Sequence, residues 1–453
     1  MSSIDLSRDS IPKLFFSYFF PALFGLFILS TYVFFDGIFV GRGVGPLGLA
    51  AVNLCVPLFY LFMSLEVLFG FGGSALASMA LGRGDDEEAR EIFSSVALFM
   101  LFLSSLLALG LFAYRDSLAL WLGAEEKLLP YVKEYLGVIV LAAPIMMVQP
   151  LLEAFVRNDR APYLAMSSMV VGSLSNIVLN YLFIFIFSWG LFGAALATVL
   201  GHLIGLLILG GHFYLKRGNI YFSSLRLRFS YVFRAFQNGV APALSEAAAG
   251  IVVVLFNLKL METSKEEGVA IFGAVSYIGV MAVTALVAAS QGLQPIASFN
   301  HGAGLYDRVR AVFRFSFGIT LALGVVLYAL SWSFAPFLAE LFFPVDAPLA
   351  KESAEAMRIY YAGYLFLGLN ILSAVFFQSI GRSLVSFVIS LSYNFVFILF
   401  WLELLPRFFG LQGIWLSYPL AMISGFLLVL WVIARERKFK LRSLYAKHPC
   451  DSF

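Results

Sequence analysis

Twelve long apolar runs dominate this chain of 453 residues. They lie at roughly 14–40, 47–81, 92–114, 129–153, 161–187, 191–214, 232–261, 268–299, 309–338, 354–380, 384–405 and 410–434. A helix needs about 20 apolar residues to cross ~30 Å of hydrocarbon, and each run is long enough. The breaks between them are short, polar or glycine-rich, such as "GRGVGP", "LGRGDDEEAR" and "METSKEEG". Within a run the apolar residues are continuous, whereas a lipid-facing barrel strand alternates. Backbone groups in hydrocarbon must bond within their own segment, which leaves helices. Charged residues make up 13% of the chain, against about 25% in soluble domains. A water-facing surface is not built from half the usual charge. The expected fold class is an all-α membrane protein with twelve transmembrane helices.

Lys and Arg set the expected orientation. The N-terminus, the even-numbered loops and the C-terminus hold 21 of the 30. Both termini are therefore expected in the cytoplasm. The segment "KRGNIYFSSLRLRFSYVFR", 216–234, joins spans six and seven and reads as a cytosolic strap. The tail "RERKFKLRSLYAK" suits an anionic membrane surface. The first apolar run is too long for a cleaved signal and is expected to remain as a span.

The two halves repeat. "PALFGLFILSTYVFFD" from Pro21 matches "PALSEAAAGIVVVLFN" from Pro242, which sets Asp36 against Asn257. Ala77, Ser78, Gly82, Gly84 and Arg90 match Ala297, Ser298, Gly302, Gly304 and Arg310. Gly190 and Gly193 match Gly410 and Gly413. Six spans per half make the repeat parallel, with two pseudo-symmetric lobes facing a central cleft. The expected division is a lobe at 1–215, a basic linker at 216–231, a second lobe at 232–438 and a polar tail at 439–453.

Asp36 sits between Phe34, Phe35 and Ile38, Phe39. A carboxylate in hydrocarbon costs about 2.5–3.5 kcal/mol on insertion scales. One reading takes it near the outer end of span one, ~35 Å along the helix from Lys13, reaching headgroups or Arg42. The other makes it an ion-coupling group, since burial and the negative end of the helix dipole both disfavour a fixed charge there. Enzymatic chemistry finds little support. There is no Walker A sequence, HExxH or CxxC motif, and Cys55 and Cys450 suggest neither disulfide nor metal site. No cofactor and no nucleic-acid partner are expected, and the chain is not expected to be an enzyme.

The blocks "SALASMALGRGD", "FVRNDRAPYLAM", "NIVLNYLFIFIFSWGLFGAALAT", "EAAAGIVVVLFN" and "GLQPIASFNHGAG" resemble the multidrug and toxic compound extrusion (MATE) transporters of bacteria. The resemblance covers nearly the whole chain. It implies a two-lobe, twelve-helix antiporter that exports cationic, amphipathic molecules in exchange for inward H⁺ or Na⁺. It also implies a bacterial inner membrane, and we expect a monomer there. The superfamily includes flippases for lipid-linked precursors, and the alternative reading is a flippase for a lipid-linked or amphipathic metabolite. A flippase cavity for pyrophosphate lipids needs several basic residues, and few lie within these spans.

By this resemblance Asp36 is the coupling residue, with Asn176, Asn180 and Thr198 beside it and Tyr135 as a further candidate. Asn176 and Asn180 are four apart and share a helix face. Many relatives carry Asp where this chain has Asn180. The site thus has one titrating carboxylate, and its oxygens from Asp36, Asn176, Asn180 and Thr198 would suit Na⁺ as well as H⁺. In the second half, Glu246 is expected to attract cations to the central cavity. Gln291, Gln294, Gln378, Asn257 and Met63 complete the expected substrate site, with Asn300 a further polar group on span eight. Glu66 could face the cleft, whereas Glu403, near Pro406 and Arg407, reads as an outer-surface residue.

Overall fold

Proline marks the entry to many of the helices, at a position where the missing N–H costs nothing. Pro46, Pro130, Pro144 and Pro162 all sit in first turns. Asp85 caps the third helix by accepting the backbone N–H of Glu88 at 2.9 Å.

The computed structural model describes residues 4–124, 127–223, 226–343 and 348–443. The first lobe comprises α1 (Ile11–Gly43), α2 (Pro46–Arg83), α3 (Asp86–Ala113), α4 (Leu129–Leu141 and Ala143–Asn158), α5 (Pro162–Ile186) and α6 (Gly190–Tyr214). The second comprises α7 (Phe229–Ser264), α8 (Glu267–Gly302), α9 (Tyr306–Glu340), α10 (Pro348–Ser379), α11 (Ser383–Leu404) and α12 (Pro406–Arg435). Eleven of these are long and apolar enough to cross a membrane as they stand, and α4, bent by 50°, supplies the twelfth. No strand occurs among the described residues. The protein is a multi-pass, all-helical membrane protein, as expected. Of the expected tail, helix continues to Ser443, and 444–453 lie outside the described residues.

Helices α7 and α8 form one unbroken helical run, yet they run antiparallel. Phe256 and Phe272 stack with centroids 5.1 Å apart. A straight helix would hold residues at that spacing ~24 Å apart, so the chain reverses between them. Two π-turns interrupt other helices, at Leu182–Ile186 in α5 and Ser392–Val396 in α11.

Each lobe has its own core. One gathers Phe93, Phe155 and Phe213, and extends to Leu293 and Ile296 at the end of α8. The other gathers Phe256, Phe272, Trp415 and Tyr418. The lobes meet at the end of the bundle that carries the N-terminus and most of the basic residues, here called the basic end. A Cβ on Gly82 would run into the carbonyl oxygen of Phe299, and one on Gly302 into that of Met79. Gly72 packs on Ala235 and Gly239, and Gly292 on Phe15 and Phe19. Each pair maps onto the other through the same offset of the repeat, so the two lobes grip each other by a pseudo-two-fold contact.

Polar groups reinforce this seal. Gln378 Nε2 donates to Phe71 O at 3.0 Å and Asn238 Nδ2 to Gly72 O at 3.2 Å. Arg308 donates to the carbonyls of Leu6 and Asp9 at 3.1 and 2.7 Å, which ties the N-terminus to the second lobe. Between the lobes, the hydrogen bond farthest from the basic end among the described residues is Ser30–Thr284 at 3.5 Å. Thr284 also lines a cavity between the lobes.

The strap between the lobes is sewn to the first one. Asp159 accepts from the backbone N–H of Asn219 at 2.9 Å and pairs with His212 at 2.8 Å. Arg90 Nε donates to Asn219 O at 2.9 Å, and its guanidinium lies over the Tyr221 ring.

Candidate functional site

The cavity between the lobes holds about 720 Å³ and is lined by side chains from both. Its walls divide into a polar chain on the first lobe, a buried ion pair, and an aromatic and acidic patch on the second.

The chain begins at Asp36, half-buried in α1. Asn180 Nδ2 donates to Asp36 Oδ1 at 2.6 Å and also reaches Asn176 Oδ1 at 3.2 Å. Asn176 Nδ2 donates in turn to Thr198 Oγ1 at 3.3 Å, and that hydroxyl donates to Ala194 O. The geometry follows from the sequence. The i, i+4 spacing stacks the two amides on one face of α5. Gly172 and Gly201 face each other with no room for a side chain, which draws α6 close enough for Thr198 to join. Asn180 is fully buried and its Oδ1 has no partner. Such an acceptor is costly to leave unmade and gives the site a vacant oxygen beside a carboxylate.

Asn176 and Thr198 line the cavity, so the chain connects Asp36 to it. No ion pair to Asp36 occurs among the described residues, so Arg42 is not its partner. Tyr135 is 2% exposed, with its ring packed on Phe59. It lies within electrostatic reach of Asp36 without a hydrogen bond to it. Among the described residues no cluster of three or more His, Cys, Asp or Glu side chains could hold a metal ion. A Na⁺ held here would depend on Asp36 together with the neighbouring amide and hydroxyl oxygens, the ligand type hard cations take.

On the second lobe, Glu246 lines the cavity together with Ser245, Tyr393 and Asn394. Asn394 Nδ2 donates to Ser245 Oγ at 3.0 Å, and Tyr393 Oη lies 3.4 Å from the same hydroxyl. Tyr393 and Asn394 stand in the π-turn of α11, where the wider turn re-aims side chains. Tyr360 and Tyr418 stack at 4.1 Å, with Tyr364 edge-on to both, and all three face the cavity.

Several expected substrate residues lie elsewhere. Met63 and Gln291 line the cavity, but Gln294, Gln378 and Asn257 do not. Gln294 and Gln378 direct their amides at Phe71 O in the seal, across the contact between the lobes. Asn300 binds the carbonyl of Leu6 and accepts from Arg308. Asn257, the repeat counterpart of Asp36, is half-buried in α7 outside the cavity. The two lobes are thus asymmetric in chemistry. Glu66 does line the cavity. Glu403 makes surface ion pairs with Lys259 and Arg407.

Sequence reasoning missed a buried pair. Arg157 falls in the break between the apolar runs 129–153 and 161–187, yet it stands in α4 and faces the cavity. Its Nη2 donates to Glu153 Oε1 at 2.7 Å, while Nη1 has no partner. The signal was present as opposite charges at i, i+4 in an apolar run. The tyrosines at 360, 361 and 364 gave no such signal, because aromatics crowd the whole chain.

Comparison with known proteins agrees with this architecture. The family model MatE matches residues 21–182 and 243–402, one block in each lobe. The chain is 23% identical over 400 residues to the multidrug export protein MepA of Staphylococcus aureus (strain NCTC 8325 / PS 47), covering 87% of each. An outward-facing multidrug resistance MATE family transporter of the MOP superfamily superposes with a TM-score of 0.89 at 23% identity, covering 97% of this chain and 99% of that one. A MOP superfamily transporter from Pyrococcus furiosus, described as having a binding pocket of reverse polarity, superposes at 0.88 with 22% identity, covering 96% and 99%. With the family model matching most of both lobes, the chain belongs to the MatE family of membrane transporters.

Proposed function

We propose that this protein is a secondary antiporter that exports cationic or amphipathic drugs or metabolites in exchange for inward H⁺ or Na⁺. The observation that carries the reading is the 2.6 Å bond from Asn180 to Asp36 beside the vacant Asn180 Oδ1. A carboxylate held in an apolar bundle, next to a free acceptor and joined to the cavity by amides, can exchange a proton or a bare cation. Gain or loss of that charge alters how the first lobe packs.

In this reading the basic end is cytoplasmic, at the bacterial inner membrane, by the distribution of Lys and Arg. The seal at Gly82 and Gly302 then closes the cytoplasmic side, and the cavity is open outward. Rocking of the two lobes, 1–215 and 232–438, about their pseudo-two-fold contact exposes the cavity alternately, with 216–231 as the strap. Glu246 and the tyrosines of α10 and α12 supply a carboxylate and ring faces for lipophilic cations. MepA, a multidrug export protein, supports the substrate class. A lipid pyrophosphate headgroup fits less well, since the cavity carries three carboxylates and a single Arg already paired with one of them.

Reconstitution in liposomes with H⁺ and Na⁺ gradients imposed separately tests the reading. Ethidium accumulation driven by one gradient and abolished by its collapse is expected. Transport indifferent to both gradients would refute antiport.

A further inference from the structure

The charges around the cavity do not balance. Glu66 on α2, Glu153 and Arg157 on α4, and Glu246 on α7 all line it. Arg157 is bonded to Glu153, which leaves Glu66 and Glu246 without an ion pair among the described residues. They come from opposite lobes, and Glu66 lies within electrostatic reach of Glu246, Glu153 and Arg157. Glu246 has Tyr60 of α2 and Tyr393 of α11 in similar reach. The imidazole on the cavity wall, His202, is engaged by Gln149 at 3.1 Å.

A second observation points to a ligand. Gln291 of α8 lines the same cavity, is 6% exposed, and its Oε1 has no partner. Facing this space without a partner are thus two carboxylates, this amide oxygen, the Ser390 hydroxyl and one arm of Arg157, so that three carboxylates stand against a single guanidinium. The same lining carries the apolar side chains of Phe59, Met63, Val67, Met146 and Val283. A ligand with one positive charge leaves a carboxylate uncompensated in an apolar surround, which is costly. A second positive charge on the same molecule removes that cost.

We infer that Glu66 and Glu246 form a two-point clamp across the lobes for dicationic amphipathic molecules, with Gln291 Oε1 as an added acceptor. The inference rests on the reading of the chain as a cation exporter. Because one anchor lies on each lobe, the clamp is made only when the lobes stand at the right separation. It therefore selects ligands by the distance between their charges.

The test uses the full chain in nanodiscs. The probes are bis(trimethylammonium) alkanes of increasing polymethylene length and single-headed alkyltrimethylammonium ions of matching length, each displacing ethidium. These heads carry fixed charge, so ligand protonation does not enter. The wild type is expected to prefer two heads over one by about tenfold, with an optimum length. Glu66→Gln is expected to cut that preference below about twofold. Glu66→Asp, which keeps the charge on a shorter arm, is expected to move the optimum to a longer ligand. Monodisperse elution and an unchanged Tm establish that each variant is folded. Single-headed binding with no two-headed preference in the wild type, or a preference unchanged by Glu66→Gln, overturns the clamp alone. Binding of neither probe class overturns the cation-exporter reading and the clamp with it.

Discussion

Asn180 holds Asp36 through a 2.6 Å hydrogen bond and keeps its own oxygen free of any partner. The carboxylate is thereby fixed on one side and open on the other. Replacing Asp36 by Asn removes the charge on which the proposed exchange depends while preserving shape. Asp36→Asn is expected to express and fold normally and to lose gradient-driven ethidium efflux in liposomes down to the protein-free level. Retained efflux would remove Asp36 from ion coupling.

The seal at the basic end depends on backbone meeting backbone. At Gly82 and Gly302 an added side chain would strike a carbonyl, which has no rotamer to escape into. Gly82→Leu and Gly302→Leu are therefore expected to act alike and to open this end. The readout is labelling of a cysteine placed at Gln294, by an impermeant maleimide added from the side of the basic end, in a background lacking Cys55 and Cys450. Labelling should rise in both variants but not in Gly110→Ala, where nothing lies within 4 Å. Equal labelling in all three would mean that the seal lies elsewhere.

Glu153 and Arg157 are a buried pair 2.7 Å apart. Removing one member strands the other, at a cost of about 3 kcal/mol, the low end for buried pairs because the cavity borders this one. Arg157→Met should lower Tm in detergent, and the double variant Glu153→Gln/Arg157→Met should recover most of the loss. A double variant no more stable than Arg157→Met would show that the pair is not an energetic unit.

Asp159 gathers the strap by accepting from Asn219 and Ile220 while pairing with His212. Asp159→Ala is expected to loosen residues 216–220 and to speed tryptic cleavage after Lys216 and Arg217 about tenfold, as local opening governs proteolysis. An unchanged cleavage rate would assign the strap's attachment to Arg90 and to Ser94 and Ser95, which accept from Ser223 and Arg228.

Much of this architecture is written in runs and repeats. Continuous apolar segments specify helices because hydrocarbon offers backbone groups no other partner. The match of Gly82 with Gly302 marks a duplicated interface, although which carbonyl each glycine meets is a fact of docking. Asn176 and Asn180 share a face by spacing alone. The same spacing in Glu153 and Arg157 went unread, since charges after a long apolar run look like a loop.

What the chain's order of residues decided by itself is local and periodic: twelve membrane-length helices, two equivalent halves, and an acid in the first with an amide opposite it in the second. Tertiary structure alone decided which polar groups share a space. Gln294 and Gln378 lie in spans as apolar as that of Gln291, yet they close the seal while Gln291 opens on the cavity. A helix period tells which residues lie on one side of a helix. Only the rotation and tilt of each helix against its neighbours, fixed by packing across both lobes, tell what that side confronts.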